Sequence, residues 1–171
     1  GESLWINKIL RGDYDPSVMS SSALARSWRQ IRSLSSLFTT VPKTPAAYVV
    51  FRGMDVDLVQ SERRTLTVPG FVSTSASYEI ATEFAEPSCC MWVIEIPTGS
   101  AVLEVLDSSA WGEEEEILLP QNSEFEVLSI TMVDNRRTVF LRFIGANVPT
   151  MNPMERLPLT RFKIGSLHRK V

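Results

Sequence analysis

Four consecutive glutamates, Glu113 to Glu116, run without a spacer into the apolar stretch Ile117-Leu118-Leu119-Pro120. One reading is a solvated acidic loop. The direct entry into a β-type apolar run favours a second. Side chains alternate faces along a strand, so Glu114 and Glu116 share a face about 6.5–7 Å apart at a rise of roughly 3.3 Å per residue. Two carboxylates so spaced can divide labour, one stabilising a developing cation while the other takes a nucleophile's proton. Glu113 and Glu115 point the other way and read as spectators. A second candidate is Arg52, at the end of the apolar run AAYVVFRG. A charge held there needs either a structural carboxylate or an anionic ligand. The guanidinium fork suits phosphate, because it donates two parallel hydrogen bonds. Gly53 follows at once and lets a ligand approach the backbone closely. The third candidate is Ser73-Thr74-Ser75, directly after Phe71-Val72. These hydroxyls either cap and turn the chain, a task Ser77 can perform alone, or orient a carboxylate.

Other chemistry is excluded by composition. The only histidine among the 171 residues is His168, so neither an HExxH zinc site nor a triad built on a core imidazole is available. No two glycines stand in a GxG, and no GxxxxGK[ST] occurs, so the two commonest nucleotide loops are missing. No metal is expected. With a net charge of −3, the chain has no global nucleic-acid footprint. The basic residues Arg156, Arg161, Lys163, Arg169 and Lys170 read as a solvated tail. No apolar run approaches the roughly 20 residues of a membrane helix. No signal peptide opens the chain, which starts at Gly1 rather than at Met. Cys89 and Cys90 are neighbours, which argues for packing rather than a disulfide and favours action in a reducing compartment.

The elements that must carry these residues follow from pattern. Leu4, Ile6, Ile9 and Leu10 have helical spacing over 3–11, ending at Gly12. Asp15-Pro16 reads as the N-cap and first turn of a second helix, with the stripe Leu24, Trp28, Ile31, Leu34 and Phe38, closed by Pro42 and Pro45. Strands are expected over 46–53, 71–74, 91–97, 101–106, 116–120, 125–133 and 138–146, with a polar excursion over 54–68. Ser77 to Ala85 reads as a short helix, and Asp134-Asn135 as a hairpin turn. Helices first and short strands afterwards predict an α+β class, with a two-sheet antiparallel β core and N-terminal helices. No repeat or linker divides the chain, so 1–171 is expected to be one domain, its motifs within 3–146 and 147–171 a C-terminal extension.

YVVFRG at 48–53, GFVSTS at 70–75 and EEEILLP at 114–120, in that order, resemble the mono-ADP-ribosyltransferases of the Arg–Ser–Glu class, as in bacterial toxins and effectors. INKILRG at 6–12 is similar to the family's helix near the nucleotide, and FEVLSI at 125–130 to the strand after the catalytic one. The resemblance implies two packed, roughly perpendicular sheets with NAD in the cleft between them. It implies that Arg52 grips the NAD phosphates and that Gly53 meets the nicotinamide amide through its backbone. Ser73 would hold Glu116, and Ser73, Thr74 and Ser75 would count among the residues that bind NAD. Glu116 would bond the 2′-hydroxyl of the nicotinamide ribose and stabilise the oxocarbenium-like transition state. Glu114 would orient or deprotonate the acceptor, and Asn7 and Arg11 would support the adenosine or phosphate end. Phe84 either packs in the core or lies against nicotinamide. Residues 107–113 resemble the target-recognition loop, with Trp111 either an exposed anchor for a protein substrate or folded onto the core.

The implied activity is NAD-dependent transfer of ADP-ribose to a protein side chain. Glu at position 114 favours an arginine acceptor, with threonine or serine as the other options. The expected partner is a host target protein reached by secretion or translocation into the host cytosol, and the small size suits a catalytic domain cut from, or delivered by, something larger. Two other readings use the same motifs: an NAD glycohydrolase with water as acceptor, and an inactive binding module of the same fold.

Overall fold

The computed structural model describes residues 2–15, 17–54, 59, 64–83, 90–106 and 115–147. Helix α1 (Glu2–Arg11) turns Ile6 and Ile9 inward and stops at Gly12, whose φ of +78° favours a residue without a Cβ. The Gly12 N–H donates to the Ile9 carbonyl and the Asp13 N–H to the Lys8 carbonyl, a Schellman closure. Helix α2 (Ser21–Thr40) starts later than the sequence reading expects. Its N-cap is Ser20, whose hydroxyl accepts from the Ala23 N–H at 3.2 Å. Asp15 also caps, but it caps a separate turn: its carboxylate accepts from the backbone and hydroxyl of Ser17. The apolar stripe then runs as expected, with Ile31 and Phe38 buried, and the helix gives way at Val41-Pro42.

Eight strands follow: β1 (Tyr48–Met54), β2 (Thr65–Val68), β3 (Val72–Ser75), β4 (Cys90–Ile96), β5 (Leu103–Leu106), β6 (Glu115–Leu119), β7 (Ser123–Val133) and β8 (Arg136–Ala146), with helix α3 (Tyr78–Glu83) between β3 and β4. Strand β2 lies inside the expected polar excursion. Its Thr-Leu-Thr-Val alternation exposes every second residue and only half-buries the others, which weakens the apolar signal. The Asp134-Asn135 turn is as expected, with φ of +49° and +60° at the two positions, the pattern of a type I′ hairpin.

The strands form one hydrogen-bonded ladder in the order β2-β7-β8-β4-β1-β3-β6-β5. The α+β class holds, with two differences in detail. The pairing is antiparallel except between β4 and β8, which run parallel. The ladder is also continuous rather than two separate sheets, although it narrows to a single registered pair, Phe51↔Ser75, between β1 and β3. The main core joins Val50, Trp92, Ile94, Phe125 and Leu141 on one side of that junction with Val72, Ile117 and Leu119 on the other. Among the described residues, no helix residue contributes to this cluster, so the two parts of the ladder cover one another. A second cluster seats Ile6, Ile9, Ile31 and Phe38 of the helices against Phe71, Leu103 and Leu118 on the opposite face of β3, β5 and β6. Cys90 is buried in the main core, the packing role its sequence context suggests.

Candidate active site

Strand alternation settles which side chains share a face. Along β3, Val72 enters the main core and Thr74 follows it inward, where its hydroxyl donates to the Ile117 carbonyl at 2.6 Å. Ser73 and Ser75 therefore face the helix side. Their cross-strand partners in β6 are Leu118 and Glu116. Leu118 packs under the helices, and Glu116 is the next residue outward on that face. One row of paired residues thus runs Phe51, Ser75, Glu116, Val105 across β1, β3, β6 and β5.

Ser75 is the residue directly opposite Glu116, and Ser73 stands one same-face step away. Diagonal neighbours of this kind lie roughly 7–8 Å apart and remain within reach of a long side chain. The Ser75 hydroxyl accepts from the Ser77 N–H at 3.0 Å and so shapes the entry to α3. Ser77 in turn caps that helix by accepting from the Ile80 N–H. Two hydroxyls of the Ser-Thr-Ser run, those of Thr74 and Ser75, are thus spent on backbone. Among the described residues, the Ser73 hydroxyl and the Glu116 carboxylate make no hydrogen bond or ion pair. Glu116 is half-buried, so part of its surface remains uncovered.

Arg52 lies in β1 opposite Trp92. Its Nη1 donates to the Ser73 carbonyl and its Nε to the Met54 thioether at 2.9 Å. The guanidinium thereby ties β1 to β3 at the junction where the ladder holds a single registered pair. Gly53 follows it, half-buried and opposite Met91. Asn7 reaches the same region from α1. Its Oδ1 accepts from the Phe71 N–H at 2.9 Å, at the base of β3. Arg11 is exposed and pairs with Asp13 at 3.3 Å, a surface bridge of small energetic weight. Glu114, Trp111, Phe84 and the tail beyond Asn147 lie outside the described residues.

Gly70 and Phe71, known from sequence only as the start of GFVSTS, set the base of β3, while Gln121 has no sequence signal. Gln121 is buried and donates to the Ser35 hydroxyl at 3.0 Å, fastening the end of β6 to α2. Chemically, the helix-side face offers a carboxylate and an unspent hydroxyl, and the Arg52 guanidinium, which alternates to the other face of β1, meets the Ser73 backbone at the β1–β3 junction. Together they suit a ligand with sugar hydroxyls and anionic groups.

A family model described as ADP-ribosyltransferase exoenzyme matches residues 1–144. No curated protein sequence matches the chain. Among solved structures, the Vis toxin of Vibrio splendidus, an ADP-ribosyltransferase, superposes with a TM-score of 0.64 at 22% identity, over 88% of this chain and 71% of that one. Vis is also known in complex with agmatine. The C3 exoenzyme of Clostridium limosum superposes with a TM-score of 0.65 at 16% identity, over 82% and 78% of the two chains. Exoenzyme S of Pseudomonas aeruginosa, in complex with human 14-3-3 protein beta and bound to carba-NAD, gives 0.65 at 16% identity, over 88% and 72%. At these identities the likeness is one of fold.

Proposed function

The chain belongs to the ADP-ribosyltransferase exoenzyme family and is an NAD-dependent ADP-ribosyltransferase, and from that premise we propose that it transfers ADP-ribose to an arginine side chain of a target protein, releasing nicotinamide. The observation that carries this reading is the Glu116 carboxylate on the helix-side face, flanked by Ser75 and Ser73. Breaking the N-glycosidic bond of NAD releases neutral nicotinamide and leaves positive charge on the ribose. A carboxylate fixed beside that charge stabilises the transition state more than the ground state.

In this reading Glu116 accepts from the ribose 2′-hydroxyl and faces the developing cation. Ser73 steadies Glu116 through its unspent hydroxyl. Arg52 holds the pyrophosphate, and Gly53 meets the nicotinamide amide through its backbone. Asn7 and Arg11 lie toward the adenosine end, Thr74 and Ser75 keep β3 in register, and Phe84 lies against nicotinamide or in the core. Glu114 orients or deprotonates the acceptor, with Trp111 beside it as an anchor for the target. The donor set fits NAD: carboxylate oxygens for sugar hydroxyls, and a guanidinium for phosphate. Agmatine, bound in a structure of Vis, carries the same guanidinium as arginine and supports that acceptor class. The complex of exoenzyme S with a human protein supports a host partner, and the toxin relatives support delivery out of the producing cell. We assign the whole of 1–171 to one catalytic domain.

The test is transfer of labelled ADP-ribose to proteins of a cell lysate. Wild type is expected to label a small set of proteins and Glu116→Ala none. Equal absence of label from both, with NAD intact, overturns the reading.

A further inference from the structure

Strand β3 is four residues long; it pairs with β6 along its whole length but joins β1 through a single registered pair, so the hold on its base is the further tie that sets where it lies. That base is the turn Pro69-Gly70 leading into Phe71. The Phe71 ring is 5% exposed, stacked on Phe38 with ring centroids 6.0 Å apart. The Asn122 N–H donates to the Pro69 carbonyl at 3.2 Å. The Phe71 N–H precedes the strand ladder, and its partner is the Asn7 side chain, at 2.9 Å. A buried backbone N–H without a partner is costly, so this bond has a task of its own. Gly70 is buried against the same group. A Cβ built there would lie 2.7 Å from Asn7 Oδ1 and 3.2 Å from Asn7 Cγ, and its three nearest atoms all belong to Asn7. Gly70 has no positive φ, so the contact with Asn7 rather than its backbone conformation accounts for its lack of a side chain.

We propose that Asn7, Gly70 and the Phe71 N–H form a latch between α1 and β3 that positions Ser73 and Ser75 against Glu116. This makes Asn7 a positioning residue acting through its oxygen, in addition to any contact its amide nitrogen makes with the dinucleotide. The inference rests on the proposed function for its catalytic consequence, and on geometry alone for the latch. Phe71 is two residues from Ser73, so a shift at the latch passes directly to the hydroxyls flanking Glu116. Displacements near 1 Å at such a site cost up to about a hundredfold in rate.

The test compares wild type, Asn7→Ala, Asn7→Asp, Gly70→Ala and the Asn7→Ala/Gly70→Ala double variant, by nicotinamide release and by hydrogen exchange at the Phe71 amide. Asn7→Asp keeps an acceptor oxygen, so its kcat is expected to fall clearly less than that of Asn7→Ala, whatever happens to KM for NAD. Asn7→Ala and Gly70→Ala are each expected to lower kcat by about tenfold or more. The double variant is expected to match Asn7→Ala, since both substitutions remove one contact and the truncated side chain leaves room for the new methyl. Loss of kcat in Asn7→Asp equal to that in Asn7→Ala overturns the proposal, as does a double variant that falls by the product of the single effects. Wild type that leaves NAD intact overturns the proposed function instead. The latch is then read from the Phe71 amide, expected slow to exchange in wild type and Asn7→Asp and fast in the other variants. Equal exchange in all of them overturns it.

Discussion

Glu116 carries the largest share of the account. Its carboxylate has no hydrogen-bond or ion-pair partner among the described residues, so a ligand does not have to displace one. Glu116→Gln keeps the size of the side chain and removes its charge. Nicotinamide release is expected to fall on the order of a hundredfold to a thousandfold, as for loss of one preorganised electrostatic contact. Glu114→Gln is expected to separate two activities: hydrolysis of NAD by water persists, while transfer to protein drops. Parallel assays of ADP-ribose formation and protein labelling check this, and equal loss of both would assign Glu114 to bond cleavage. Much of this site is legible as sequence, because Arg52, Ser73-Thr74-Ser75 and Glu116 each stand in a short motif at a strand end. What a motif leaves open is register. Only the β3–β6 pairing puts Ser75 rather than Ser73 directly across from Glu116. Likewise the bond from Asn7 to Phe71 spans 64 positions of chain and leaves no local signature.

The elements that hold these residues end where capping chemistry ends them. Ser20→Ala removes the α2 cap and is expected to destabilise the fold by about 1 kcal/mol in denaturant titration. Asn135→Val would force a β-branched residue to φ near +60°, and is expected to cost roughly 1–2 kcal/mol, whereas Asn135→Gly is tolerated. Helix α3 carries a pH-dependent cap. The backbone and the Ser77 hydroxyl lower the Glu79 pKa from its ordinary 4.5. A carboxyl lowered by folding contributes stability at neutral pH and loses that contribution as pH falls through its folded value. Acid unfolding below pH 4.5 is therefore expected to weaken α3 less steeply in Glu79→Gln than in wild type, as read by circular dichroism or amide exchange. The strong elements, α1, α2 and the β7–β8 hairpin, are readable from periodicity and turn residues. Strand β2 is not, because half its residues face solvent. The start of α2 is misread because Asp15 offers a good capping side chain that the chain spends on a turn instead.

At the scale of the molecule, one ladder narrowed at the Phe51↔Ser75 junction does two tasks. Its two parts bury a core centred on Trp92 and Phe125, which meet edge-on with ring centroids 5.9 Å apart. Its other face carries the helices over β3, β5 and β6 and leaves Glu116 half-buried beyond them. Phe125→Ala is expected to cost about 3–5 kcal/mol of stability through the cavity it leaves. The parallel β4–β8 pair is invisible in sequence, since long-range pairing is fixed by which faces must be buried and not by local pattern. The proposed site would also let a chain with one histidine and no glycine-rich phosphate loop act on a dinucleotide, with strand-borne charges in place of both. The most direct measurement is nicotinamide release from NAD by the purified chain with agmatine as acceptor, beside Glu116→Ala. The account predicts steady release and ADP-ribosylagmatine from wild type and neither from the variant. NAD left intact by wild type, or release that Glu116→Ala does not reduce, would contradict it.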